Sequence, residues 1–362
     1  MWNIAIIGLS ISSSWGNGHA TTYRGLVREL VRRGHVVTFL ERDVPWYRDT
    51  RDLPRLPHGR ILFYDSLAAL FDGHEALIRN ADLVIVGSYV PDGAAVCRWS
   101  LAHARGVTAF YDIDTPVTLA ALERRQTTYI SRDLIPRFDL YLSFTGGPTL
   151  QRLERDFGAR RARALYCSVD PMQYFPDDVP CRWDLGYLGT HAEDRQPALD
   201  HLLLAPARAD PGARFVVAGA NYPADMIWPD NVERIAHLPP AEHRAFYNSQ
   251  RFTLNITRAD MIASGYAPSV RLFEAAACGT PVISDWWPGL DELFRPEEEI
   301  FTAGSAAEVL GYLNETPDEV RQAVGEQARQ EVLTRHTAAC RVRELEDYVE
   351  ECLAPPAARR AP

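Results

Sequence analysis

The chain has 362 residues, of which 24% are charged and 46% hydrophobic, with a formal net charge of −10. That length exceeds one compact core and points to two domains of ordinary size. The acidic balance argues against a uniformly basic nucleic-acid surface, although a small polyanion needs only a few local arginines, and no apolar run is long enough to span a membrane.

The predicted elements begin with a strand in NIAIIGL, a polar loop in SISSSWGNGHA and a helix in TTYRGLVRELVRRG, with Tyr23, Leu26, Val27, Leu30 and Val31 on one face and Gly34 as C-cap. HVVTFLE follows as the second strand. In the loop, Gly16 and Gly18 permit close backbone approach to a ligand, and His19 sits at the helix mouth, where the dipole favours a neutral imidazole able to act as a base. The run GNGHAT places Thr21 where a dinucleotide fingerprint needs Gly or Ala. Further strands are predicted in ADLVIVG, VTAFYDID, FDLYLSF and ARALYCS, each ending in the polar or Gly residues that border the ligand crevice of a doubly wound sheet. YDIDTP puts Asp112 and Asp114 at one such end, where Asp114 either orients a base and binds acceptor hydroxyls or caps the next turn. Gly146 and Gly147 in SFTGGPTL are either a phosphate approach or a tight turn.

This gives a Rossmann-like domain over 1–165 and an aperiodic, Pro- and Asp-rich linker over 166–182. A second α/β set over 183–335 has strand-like WDLGYLGT, ARFVVAGA, ERIAHL, RFTLNIT, TPVISDW and EEIFTAG. A helical, charged stretch runs from about 317 to 353, and 336–362 is expected as a C-terminal helix and frayed tail. The fold class is α/β, with two Rossmann-like parallel-sheet domains expected to face each other across a cleft.

In PSVRLFEAAACG, Pro268 enforces extended geometry before it, Ser269 is a good N-cap, and the helix is predicted to start at Val270 and stop at Gly279. Its free N–H groups favour an anion. The charge of Arg271 opposes the helix dipole in that first turn, and an anionic ligand would explain it. Glu274, on the same face, either accepts hydrogen bonds from ribose hydroxyls or pairs locally with Arg271. Arg258, just past LNIT, ends another strand and faces the same crevice.

The run PSVRLFEAAACGTPVISD resembles the donor-nucleotide motif of GT-B glycosyltransferases, in particular the group that includes the spore-maturation CgeB-like enzymes. The resemblance implies ribose binding by Glu274 and diphosphate or sugar contact by Ser269, Val270 and Arg271. It also implies that Thr190 and Arg195 in YLGTHAEDR meet the diphosphate, with Gly18 near the donor, and that His237 and Leu238 in HLPPAEH read the nucleobase through main-chain groups. Some inverting members use a His from the first loop as base, the role it implies for His19 with Asp114 beside it. Retaining members carry a second Glu eight positions before the ribose Glu; Tyr266 stands there, so that sugar contact does not carry over.

The expected activity is sugar transfer from a nucleotide-diphosphate donor, held by the C-terminal domain, to a small-molecule or glycan acceptor held mainly by the N-terminal domain. No cofactor and no metal are expected, the DID at 112–114 being the nearest acidic pattern. The rivals are a nucleotide-sugar epimerase, a nicotinamide oxidoreductase with Glu41 on a ribose, and a non-catalytic nucleotide-sugar sensor. The six cysteines show no CxxC spacing and are expected as reduced thiols, and the N-terminus lacks a basic leader, so a cytoplasmic protein is expected.

Overall fold

A computed structural model describes residues 1–15 and 18–354. The chain divides into two units, one formed by Met1–Tyr166 together with the segment from Ala338 onward, the other by Cys167–Thr337.

The first unit is built on seven strands: β1 (Asn3–Gly8), β2 (Val36–Arg42), β3 (Arg60–Tyr64), β4 (Leu83–Gly87), β5 (Val107–Asp112), β6 (Leu140–Ser143) and β7 (Ala162–Ala164). They are all parallel, in the order β3-β2-β1-β4-β5-β6-β7. Central strands such as LVIVG are buried along their whole length, as expected where helices cover both faces of a parallel sheet. Among these, β3 is missing from the sequence reading. It is short, follows the Pro- and Gly-rich run PRLPHG, and lies at the sheet edge with only partial burial, so it lacks the continuous apolar signal of its neighbours.

The helix Ala338–Leu353 belongs to this unit and not to a separate tail, because its Val342, Leu345 and Val349 share one core with Tyr23, Leu26, Val27 and Leu30 of the helix His19–Arg32. Glu346 anchors it further by pairing with Arg33 and, at 2.9 Å, with His35. The charged helical stretch after residue 317 is accordingly two helices, Asp318–Arg335 and Ala338–Leu353, and His336 between them stacks on Phe273 with ring centroids 4.5 Å apart.

The second unit has six parallel strands, β8 (Trp183–Leu188), β9 (Phe215–Ala218), β10 (Val232–Ile235), β11 (Gln250–Asn255), β12 (Val282–Ser284) and β13 (Phe301–Thr302), in the order β10-β9-β8-β11-β12-β13. The segment expected as a linker is part of this unit from Cys167 onward: Tyr174 is buried, and the Cys167 thiol lies 3.4 Å from the Pro268 carbonyl. The helix Val270–Ala277 starts at the expected residue, and the chain turns away at Gly279 with φ 71°.

That helix packs against Asp318–Arg335, and Gly325 makes the close approach possible. A methyl group there would stand 2.3 Å from the Gly279 carbonyl oxygen, a backbone atom that cannot swing aside. Gly325→Ala is therefore expected to destabilise the protein by about 1–3 kcal/mol, even though Ala favours a helix interior by about 1 kcal/mol. An unchanged or raised melting temperature would show that the helices separate without cost.

Candidate functional site

In the second unit the strand order reverses between β8 and β11, and the chain leaving those two strands carries most of the expected donor residues. Arg271 spans the reversal. Its Nε donates to the Leu188 carbonyl at the end of β8 (2.5 Å) and one Nη donates to Asn255 Oδ1 at the end of β11 (2.8 Å), while the guanidinium lies 4.8 Å over the Tyr187 ring. Arg271 is 7% exposed, and among the described residues it pairs neither with Glu274 nor with another carboxylate. The local ion pair is thus absent, and the charge in the first turn is met by strand-end acceptors.

Asn255 organises this end of the sheet. Its Oδ1 also accepts from Ser269 Oγ (2.8 Å), and its Nδ2 donates to Ser284 Oγ (2.9 Å) and Thr257 Oγ1 (3.3 Å). Ser269 occupies the N-cap position with extended backbone, but its hydroxyl serves Asn255 and makes no capping bond, so the first N–H groups of Val270–Ala277 keep their anion-binding character. Asp285 receives the Thr257 N–H and hydroxyl at 2.9 and 2.8 Å, and burial raises its pKa.

Arg195 donates to the Thr190 carbonyl at 2.6 Å, and its buried Nε has no hydrogen-bond partner among the described residues. Burial, and then the charges of Arg271 and Arg258, lower its pKa, so the three arginines share one neighbourhood. Arg258 is tied to Asp194 at 3.2 Å. Thr190 itself is exposed, on a turn fixed from beneath: Gly219 (φ 149°) has no room for a side chain against the Gly189 carbonyl, and the Tyr222 hydroxyl donates to that carbonyl at 3.0 Å.

Glu274, 4% exposed, makes no ion pair with Arg271 among the described residues. Its Oε2 accepts from the Tyr247 hydroxyl at 3.1 Å and lies 3.8 Å from His243 Nδ1. His237 is exposed on the loop after β10, and the carbonyl of Leu238 accepts from His243 Nε2 at 3.2 Å. Tyr266 adopts a left-handed backbone (φ 51°), packs its ring on Gly289 and donates to Glu292 at 3.2 Å.

The first unit reverses its strand order between β1 and β4. His19 opens the helix after β1, and its ring lies 5.6 Å from that of Tyr89, in the turn after β4. Tyr89, at φ 62°, donates its hydroxyl to Asp114 Oδ2 at 2.8 Å. His19 and Asp114 therefore belong to one cluster, with Tyr89 linking them. Burial lowers the His19 pKa to about 4, which favours the neutral ring. Gly18 is exposed, and a side chain added there would meet nothing within 4 Å among the described residues, while Gly16 lies outside them. Gly146 is needed for packing, since a methyl there would strike the Tyr166 hydroxyl. Glu41 is committed within the protein: it accepts from the Ile11 and Ser12 N–H groups (2.7 and 3.0 Å) and from the Ser12 hydroxyl (2.5 Å). It leaves no carboxylate for a nicotinamide ribose.

The sequence reading missed Asn255, Asp285, His243, Tyr247 and Tyr89. Asn255 was open to inference, as a polar residue closing an otherwise buried strand. Among the described residues no group of three or more metal-ligating side chains comes together, and no helix is long and apolar enough to cross a membrane.

Comparison with known proteins follows this geometry. The family described as glycosyl transferase-like matches residues 195–347. Sucrose-phosphate synthase from Thermosynechococcus elongatus is similar in structure at 14% identity, with 97% of this chain and 99% of that one covered and a TM-score of 0.68. HepE from Anabaena, solved in complex with UDP-glucose, is similar at 13% identity, with 97% and 100% covered and a TM-score of 0.70. An alpha-glucosyltransferase, solved with UDP-glucose and DNA containing an abasic site, is similar at 14% identity, with 96% and 99% covered and a TM-score of 0.72. No curated protein sequence matches the chain. The two parallel-sheet α/β units match those of GT-B glycosyltransferase structures.

Asp112 lies fully buried beneath Asp114, accepting from Tyr141 (2.6 Å), Thr118 (2.8 Å) and the Asp114 N–H (3.3 Å), and burial pushes its pKa up from 3.8 to about 6. A raised folded-state pKa means that the native protein holds this proton more tightly than the unfolded chain, so its contribution to stability is lost as pH rises from about 4 through 6. His19, lowered to about 4, works the other way and costs stability as pH falls from 6.5. Asp112→Asn removes the first effect alone, so between pH 4 and 6.5 the variant's stability is expected to climb more steeply than the wild type's, by up to about 3 kcal/mol. Equal slopes in thermal melts across that range would exclude Asp112 as the source.

Proposed function

We propose that the protein is a glycosyltransferase of the GT-B type that takes a nucleoside-diphosphate sugar as donor. The observation that carries this is the cluster of Arg195, Arg258 and Arg271 at the strand-order reversal of the second unit, where an open helix N-terminus joins Arg195 Nε and its unmet donor. Such a site is built for a small polyanion, and bidentate guanidinium contacts suit a diphosphate. The UDP and UDP-glucose found in the similar structures support a uridine nucleotide as the first donor to test.

In this reading Glu274 accepts the ribose hydroxyls, Oε2 being held by Tyr247 while Oε1 meets the ligand. Leu238 and His237 line the base. In the first unit His19 takes the acceptor's hydroxyl proton as the new C–O bond forms, the bond from the anomeric carbon to phosphate breaks, and the arginines receive the charge that develops on the diphosphate. A base with a pKa near 4 is weak, yet it is neutral throughout the physiological range and meets a proton that bond formation has already made acidic. A small molecule or glycan is the acceptor class proposed, since the net charge of −10 opposes a nucleic acid. The epimerase is the weaker reading, because the matched family is glycosyl transferase-like, and the oxidoreductase reading loses Glu41 to the first loop.

Titration calorimetry with UDP tests the donor site. Arg195→Ala is expected to weaken UDP binding by about 10- to 100-fold, equivalent to about 1.5–3 kcal/mol, and to leave uridine binding nearly unchanged. Equal losses for UDP and uridine would remove Arg195 from the phosphate site.

For the transfer step, His19→Ala is expected to lower turnover by about 10²- to 10⁴-fold at constant donor affinity. The wild-type acid limb is expected near pH 4, in place of the 6.5 of an ordinary histidine. A pH–rate profile and turnover of the variant equal to those of the wild type would exclude His19 as the base.

A further inference from the structure

The helix Pro240–Asn248 places His243 and Tyr247 four residues apart, one turn above the other on the same face. Both side chains reach Glu274 Oε2, Tyr247 by a 3.1 Å hydrogen bond and His243 through Nδ1 at 3.8 Å. The other ring nitrogen, Nε2, lies 3.2 Å from the Leu238 carbonyl oxygen. A carbonyl oxygen only accepts, so the hydrogen of that contact is on Nε2. A neutral ring then presents Nδ1 as an acceptor for the Tyr174 hydroxyl, 3.4 Å away, so it steers that phenol beside Glu274 and meets the carboxylate itself by packing at 3.8 Å. Tyr174 and Tyr247 are buried around the same carboxylate, and burial, with the charge of Glu274, raises the pKa of both phenols far above the ordinary range, so they remain hydrogen-bond donors.

One imidazole ring therefore touches two places that the donor reading assigns to different parts of the nucleotide. We infer that His243 is a positioning residue that couples the ribose-binding carboxylate of Glu274 to the main chain at Leu238, which lines the base. The inference rests on the donor site proposed above. With the ring in place, the β10–helix loop and the carboxylate are held in one register, so a nucleotide that satisfies one contact finds the other already set. Without the ring, the Leu238 carbonyl loses its donor, and Glu274 keeps only the tyrosine side of its cage. The ribose contact then weakens in particular, and not merely the fold.

The ratio of affinities for a ribonucleotide and its 2′-deoxy counterpart reads this coupling directly. Calorimetry with UDP, ADP and GDP and their 2′-deoxy forms is run on the full chain as wild type, His243→Ala and His243→Gln. The wild type is expected to prefer the ribo form of its best diphosphate by about 10- to 100-fold, as for a hydroxyl lost from a charged acceptor. His243→Ala is expected to cut that preference to about threefold or less, and His243→Gln, whose amide still donates to Leu238, to recover most of it. A His243→Ala protein that melts lower but keeps the wild-type ribo/deoxy ratio, or a His243→Gln protein that loses the preference as fully as His243→Ala, overturns the coupling and leaves His243 as a local support. A wild type that binds a diphosphate without preferring ribose overturns the role of Glu274, and one that binds none of the diphosphates overturns the donor reading itself.

Discussion

A guanidinium cannot shed its charge at any pH a protein meets, so burying one obliges the chain to surround it with acceptors. Arg271 imposes that obligation on the second unit, and the unit's central architecture answers it. The Leu188 carbonyl, the Asn255 amide and the Tyr187 ring come from the two strands that flank the reversal of strand order, and all converge on this one side chain. Asn255 can serve Arg271 only because Ser269, Ser284 and Thr257 fix its orientation, and Thr257 and Ser284 are in turn fixed by Asp285. The geometry of these strand ends is thus a consequence of satisfying a single buried cation. Among the described residues none of its direct partners is a carboxylate.

The first unit solves the mirror problem. Asp112 is a buried acid, and it is held by neutral donors, Tyr141 and Thr118, with no basic partner in its hydrogen bonds. A carboxyl in that setting favours its protonated form, and the turn it supports presents Asp114 to Tyr89 beside His19. The two units thus bury opposite charges in similar ways, one a guanidinium held by neutral acceptors, the other a carboxyl held by neutral donors.

Much of this was legible in the chain. The run from Pro268 to Gly279 announces a helix start, an N-cap and a stop, and the helix begins at the residue the pattern names. The alternation of apolar runs and amphipathic segments yields two parallel sheets because buried strands leave a continuous signal. What escaped depends on contacts between distant segments. The partners of Glu274, at positions 243 and 247, could be read only as residues of a helix, because no local spacing links them to position 274. The choice between a ribose ligand and a partner in Arg271 was framed on one helix, where neighbours three apart meet; the buried packing instead gives Arg271 its partners at two strand ends and Glu274 its partners on the helix Pro240–Asn248. Ser269 was legible as a cap by position, but its hydroxyl is drawn to Asn255, a choice made by the sheet.

The placement of the helix Ala338–Leu353 in the first unit bears on how the protein is made. Its apolar side completes the core that begins with Tyr23, Leu26 and Val27, so residues near the start of the chain wait for residues near its end. At about 5–20 residues per second of synthesis, that wait is on the order of 15–60 seconds, during which the helix His19–Arg32 carries an uncovered apolar stripe. The second unit is a single continuous stretch, Cys167–Thr337, and has no such dependence. The order of maturation on the ribosome is then the reverse of the order of translation. The unit encoded later closes first, and the earlier one stays exposed to chaperones and proteases until the final turn of helix emerges.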